Sequence, residues 1–514
     1  MNAPTSESLL RHGAERVREP ERVREPERVR EPQQPNHAPP RQPGRAPQSS
    51  VTPNPGHAPP VRPRRALARL GDAMQRHRRT IMAIQWFIVG SYLLLVAIPA
   101  FLPLPESGQS IVSNLVLFAQ FAFWGIWWPF VIASMFLVGR AWCGVFCPEG
   151  ALTEFASRHG LGRGIPRWIR WSGWPFVAFA CTTIYGQLIS VYEYSRAALL
   201  ILGGSTVLAI AVGLVYGRNS RVWCRYLCPV SGVFGLLSKV APVHFAVDQQ
   251  QWAQHPGRAA RIDCAPLIDV RHMTSTSDCH SCGRCSGHRD AVALEARRPN
   301  AEILSAGPRQ IGTGSAFLLV FGMLGLATGA FQWTLSPWFV VMRQGAAKWL
   351  IEHDSFVLLR DDAPWWLLTH YPSASDVFTW LDGIAIVTYI VGYAAIAGGL
   401  AWLALRAAAR VAGASRFDWK TLALGLVPMA GAGLFVGLTM ITITQLRAEG
   451  WVPPGVPIVR AVLLGGAIAW SLWLGLRIVA DSPAAIVRRA VAAVLYLVPV
   501  SVFASTWYLM YVAW

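Results

Sequence analysis

Seven of the nine cysteines in this chain fall into two motif groups, and a thiolate is foremost a ligand for soft metals or a redox group. The first group is a repeat. Arg140-Ala141-Trp142-Cys143-Gly144-Val145-Phe146-Cys147-Pro148 and Arg221-Val222-Trp223-Cys224-Arg225-Tyr226-Leu227-Cys228-Pro229 share R-x-W-C-x3-C-P, with both cysteine positions displaced by 81 residues. Two cysteines per copy make four, the ligand number of a [4Fe-4S] cluster or of a structural zinc ion. The prolines favour iron, because Pro after a ligating Cys recurs in ferredoxin motifs and starts a helix whose free amides can donate to sulfur. Trp142 and Trp223 are expected to shield such a centre from water, which tunes its potential.

The second group, Cys279-His280-Ser281-Cys282-Gly283-Arg284-Cys285, is a C-x2-C-x2-C run. A ferredoxin would place its fourth cysteine where Arg289 stands. Cys264, with Pro266 beside it, and His288 are the two candidates for that role. A Cys3His zinc site using His280 or His288 is the rival reading. The ninth cysteine, Cys181, lies in an apolar run and reads as a packed small hydrophobe.

The segments that must position these groups are hydrophobic. Of the chain, 53% is apolar and 14% charged, about half the usual charged share, and the apolar residues form runs matched to a bilayer core of ~30 Å. The fold class expected is an all-α polytopic membrane protein with nine spans, near 81–102, 112–138, 172–191, 197–216, 313–334, 377–405, 421–445, 459–476 and 490–512. Lys and Arg concentrate in the loops that share a side with the N-terminus, and Arg76-His77-Arg78-Arg79 precedes the first span. That asymmetry puts the N-terminus in the cytoplasm and the C-terminus outside. It also accounts for the net charge of +18 without nucleic acid, since the basic residues do not line one folded face. Trp residues cluster at run ends, as interface belts require.

Four regions follow. Residues 1–78, rich in Pro and Arg and carrying ERVREP three times from Glu15 to Pro32, read as a disordered cytoplasmic tail. Residues 79–240 form a four-helix core with the duplicated cysteine hairpins, and 241–312 a small cytoplasmic ferredoxin-like iron–sulfur segment. Residues 313–514 hold five helices and an outward loop, 335–376, whose His353 and His370 read as solvated or packed. No histidine lies in a predicted span and no C-x-x-C-H occurs, which excludes bis-His and covalent haem. Neither G-x-G-x-x-G nor a Walker lysine motif is present, so no nucleotide cofactor is expected. The cysteines lie mostly on the cytoplasmic side, where thiols stay reduced and metal ligation is favoured over disulfides.

At these residues the chain resembles the membrane-bound polyferredoxins of the NapH, NosR and CcoG type, over roughly Arg78 to Pro299. The resemblance implies electron transfer at the bacterial inner membrane through [4Fe-4S] clusters, one held by Cys143, Cys147, Cys224 and Cys228 and a second by Cys279, Cys282, Cys285 and Cys264 or His288. It implies a redox partner protein and a quinol as electron source. The five later helices are similar to the polyferredoxin component of ferrous-iron uptake systems, which implies a periplasmic cupredoxin and an iron permease as partners. Clusters at the cytoplasmic ends of the spans would need a further carrier near the outer face; Gln85, Gln120, Gln187 and Glu193 are candidate quinone contacts. Two rivals from other classes stand beside electron transfer: a transporter and an assembly factor, each with structural zinc.

Overall fold

The computed structural model describes residues 66–106, 108–255, 262–307, 311–413 and 418–514. The tail expected over residues 1–78 therefore lies outside it as far as residue 65. Its last part is ordered: Ala66–Arg76 form helix α1, with Gly71 packed against Ser286, Leu294 and Phe245.

Eight helices are long and apolar enough to cross a membrane among the described residues. They are α2 (Arg78–Phe101), α3 (Leu115–Val138), α6 (Ser195–Tyr216), α8 (Thr313–Gln332), α10 (Trp380–Val411), α11 (Val427–Ala448), α12 (Val456–Ala480) and α13 (Ile486–Ala513). The ninth expected span forms α5 (Trp174–Leu188), only 15 residues long, about 22 Å at helical rise. It ends where Ser190 takes a positive φ. It still links the two ends of the bundle: Gly173 meets Gly314 at the start of α8, and Thr369 of the outward loop donates its N–H to Leu188 O at 2.8 Å.

Two short helices stand between the spans, α4 (Pro148–Arg158) and α7 (Ser231–Val240), one after each cysteine motif, and α9 (Pro337–Glu352) lies in the outward loop. A two-stranded antiparallel ribbon then frames the second cysteine group, β1 (Val243–Val247) against β2 (Val292–Ala296), with Phe245 opposite Leu294. Phe245, Val270, Val292 and Leu294 bury a small core against which Cys264, Cys279 and Cys285 pack.

The segment is tied to the bundle by a buried charge cluster. Glu302 accepts from Lys239 Nζ at 2.8 Å, from Thr276 Oγ1 at 2.8 Å and from Arg297, which also donates to the carbonyls of Ser238, Lys239 and Ala241. Burial alone would raise the Glu302 carboxyl, but Lys239 and Arg297 outweigh it and hold it down to about 2. A carboxyl so depressed contributes stability above its unfolded value, near pH 4.3, and loses it as pH falls toward 2. Glu302→Gln strands two buried cations and should cost about 3–5 kcal/mol, read as earlier proteolysis of residues 241–307 than of the helical bundle.

Candidate metal centre

The four repeat cysteines line one cavity of about 240 Å³, together with Glu149, Arg140, Tyr92 and Trp124. Cys143 and Cys224 are each 7% exposed. The two copies of the motif brace each other crosswise. Arg221 of the second copy donates from Nη1 to the carbonyl of Cys143 at 2.5 Å, and Trp223 Nε1 donates to Glu149 at 3.1 Å. Arg140 of the first copy donates to Ser231 Oγ at 2.8 Å, and Ser231 Oγ donates to the carbonyl of Cys224 at 2.7 Å. Each half thus fixes the backbone of the other half's first cysteine.

The depth of this quartet departs from the expectation that it sits where the spans end. After α3 the chain turns back into the bundle, so that α4 starts at Pro148 beside the middle of α6 and runs in the same direction. Glu149 accepts from Ser205 Oγ at 2.6 Å, Thr153 Oγ1 donates to Ala209 O at 2.8 Å, and Leu161 N donates to Leu214 O at 2.8 Å. Ser205 is central in Ser195–Tyr216. The Trp142 ring agrees, lying 5.3 Å from that of Trp127, which is central in α3. Irregular backbone is tolerated at such depth only where protein surrounds it and supplies its hydrogen bonds, and the crossed arginine contacts do so.

Pro148 occupies the first turn of α4, and Cys147 caps it: the Gly150 N–H points at Cys147 Sγ, 3.4 Å away. This is the amide donation expected from the C-P pair, and it places the positive end of a helix at a thiolate. Trp142 and Trp223 are buried, as shielding residues should be.

The loop cysteines converge as well. Cys264, Cys279, Cys282 and Cys285 line a second cavity of about 20 Å³, so a cluster seated there must part the loop. His288 lies tilted against Trp252, with ring centroids 5.2 Å apart, and of the two proposed fourth ligands Cys264 alone lines this cavity. Burial pushes the Cys279 thiol up to about 12 and raises Cys264 and Cys285 too, so metal binding there must displace protons. His280 is held well below its usual range by burial and by Arg140, Arg221 and Arg225.

A zinc ion needs its ligands at about 2.0–2.3 Å from one point, and among the described residues no three His, Cys, Asp or Glu side chains have that spacing. In a four-iron cluster each thiolate binds a different iron, so the thiols stand farther apart around a cavity. The quartet's cavity has room for the larger group, whereas the loop's must open to take it.

The profile of a 4Fe-4S binding domain matches residues 120–168 and 199–246, one stretch for each copy of the motif. The chain carries a 4Fe-4S binding domain. It is similar to the ferredoxin-type protein MauN for methylamine utilization of Methylorubrum extorquens, 29% identical over 28% of this chain and 55% of that protein. It is similar to the ferredoxin-type protein NapH of Escherichia coli, 25% identical over 28% and 58%, and to the regulatory protein NosR of Pseudomonas aeruginosa, 23% identical over 43% and 33%. The chain thus spans little more than half the length of these relatives at most. No solved structure matches it.

Several site residues were not singled out by the sequence. Glu154 is buried between Arg221, at 2.8 Å, and Arg284 of the loop, and Gly144 meets the loop backbone. A Cβ on Gly144 would run into the carbonyl of His280 and stand 2.9 Å from Cys282 N and Cα. Of the candidate quinone contacts, Gln85 donates to Gly144 O at 2.9 Å, Gln187 accepts from Trp333 at 2.8 Å, Gln120 donates to Glu193 O, and Glu193 itself is exposed. Backbone atoms cannot yield as a flexible side chain can, so Gly144→Ala should unseat the loop. The expected result is loss of iron at the loop site with the quartet retained, measured as iron and acid-labile sulfide per chain.

Proposed function

We propose that the protein is an inner-membrane electron-transfer component that passes single electrons between a donor at the membrane or its outer side and a cytoplasmic redox partner. The quartet Cys143, Cys147, Cys224 and Cys228 would hold one [4Fe-4S] cluster, and Cys264, Cys279, Cys282 and Cys285 a second. The N-terminus would be cytoplasmic and the C-terminus periplasmic. A [4Fe-4S] cluster supplies reversible one-electron chemistry when bound.

The observation that carries this reading is the seam at Gly144. The residue after Cys143 packs directly on the backbone of Cys282, so the two thiol sets adjoin across one layer of main chain. Arg140 reaches across to the carbonyl of Ser277, and Arg284 to Glu154, which fixes that spacing. The buried arginines place positive charge between two sites that carry net negative charge when loaded. A membrane quinol is one donor class that suits the quartet, because its cavity continues among Trp124, Trp127, Phe331 and Leu434, walls for a flat apolar ring.

The purified protein should be brown, with visible absorption that dithionite bleaches. Cys143→Ala and Cys224→Ala should each remove the same cluster and leave the other, because one centre takes ligands from both copies. Two variants that each kept part of the quartet's iron in separate centres would show that the copies do not share a site.

A further inference from the structure

A quartet level with Ser205 lies about 15 Å from the outer end of α6, taking ten residues from Ser205 to Ser195 at helical rise, and aromatic rings run along that distance with one small cavity between them. Trp142, next to Cys143, lies 5.3 Å from Trp127; Trp127 lies 5.8 Å from Phe123, and Phe123 4.9 Å from Trp124, all between ring centroids. Trp124 and Phe123 wall a small cavity with Tyr194. Tyr194 in turn stacks on Tyr371 of the outward loop, 3.6 Å apart and 8° from parallel, and its hydroxyl donates to Asp376 at 2.7 Å. The last ring is thus brought by the C-terminal half of the chain to the tip of the hairpin between α5 and α6.

We propose that these rings form an electron path from the outer face to the quartet, with the stacked pair Tyr194 and Tyr371 as its outer port. The path rests on the reading of the quartet as a cluster site. In the exchange an outer donor loses one electron and the cluster beside Trp142 gains it. The rings are neither oxidised nor reduced, no bond forms or breaks, and no proton moves. Their low-lying π* levels lower the tunnelling barrier below that of saturated side chains, and this needs the rings but not the tyrosine hydroxyls. The partner at the port is a one-electron carrier on the outer side, so the cytoplasmic loop exchanges electrons with that compartment without a diffusing quinone.

The test uses the full chain, its cluster content first measured in detergent, sealed into quinone-free liposomes and mixed with dithionite, an anion that does not cross lipid. The fraction with its cytoplasmic loop enclosed is measured by protection of that loop from added protease. Molecules with the loop outward bleach at once. The enclosed molecules of the wild type are expected to bleach in a second, slower phase; Trp124→Leu and Tyr371→Leu should lose that phase, Tyr371→Phe should keep it, and detergent should complete bleaching in every case. A wild type whose enclosed fraction stays coloured until detergent is added overturns the path, as does a slow phase that both leucine variants retain. Absence of iron and sulfide from the detergent sample would instead overturn the cluster reading itself.

Discussion

Two arginines buried where the helical bundle meets the cysteine loop are the constraint around which the rest is arranged. Arg221 is 1% exposed and Arg140 3%, and a guanidinium cannot be left uncompensated in an apolar layer. Arg221 has Glu154, which it shares with Arg284. Arg140 donates to a backbone carbonyl and a serine hydroxyl, its Nε has no hydrogen-bond partner among the described residues, and the Cys143 thiol and the Asp278 carboxyl lie near it. The charge that balances it best is that of deprotonated thiols carrying metal. The cofactor and the arginines therefore justify each other's burial.

Such a balance explains why the motif is duplicated. One R-x-W-C-x3-C-P turn could not supply either the four thiols or the hydrogen bonds its own irregular backbone needs at that depth. With two copies, each lends its arginine to the other, and the short turns Trp142–Phe146 and Val222–Tyr226 are held in place. The rest of the bundle then acts as a sheath: α7 and α8 pack with α10 and α11 into one apolar core that reaches Cys143.

The chemistry was the most legible part of the sequence. Spacing alone grouped the cysteines, paired the two copies and proposed Cys264 beside His288, and the structure brings Cys264 to the other three. Depth was not legible. The stretch from Gly139 to Arg158 carries Arg140, Glu149, Glu154 and Arg158 and is too polar to read as packed within the bundle, because hydropathy sees runs of apolar residues and not hydrogen bonds supplied by a distant arginine. For the same reason α5 read as a full span, since its apolar run continues past the turn at Ser190. The order at Ala66–Arg76 was hidden by the composition of the tail before it, the surface that orders it, Phe245, Ser286 and Leu294, lying far along the chain.

A cluster held by the quartet at the level of Ser205, as proposed, would also be sensitive to voltage. A charge that crosses an entire membrane under 100 mV exchanges about 2.3 kcal/mol with the field, so an electron arriving at the level of Ser205 from either side feels roughly half of it, ~1 kcal/mol. An energised membrane would bias the occupancy of this centre in opposite senses for electrons entering from its two faces. The same polypeptide would thus run differently in a respiring cell and in a depolarised one, with no change in any contact described above.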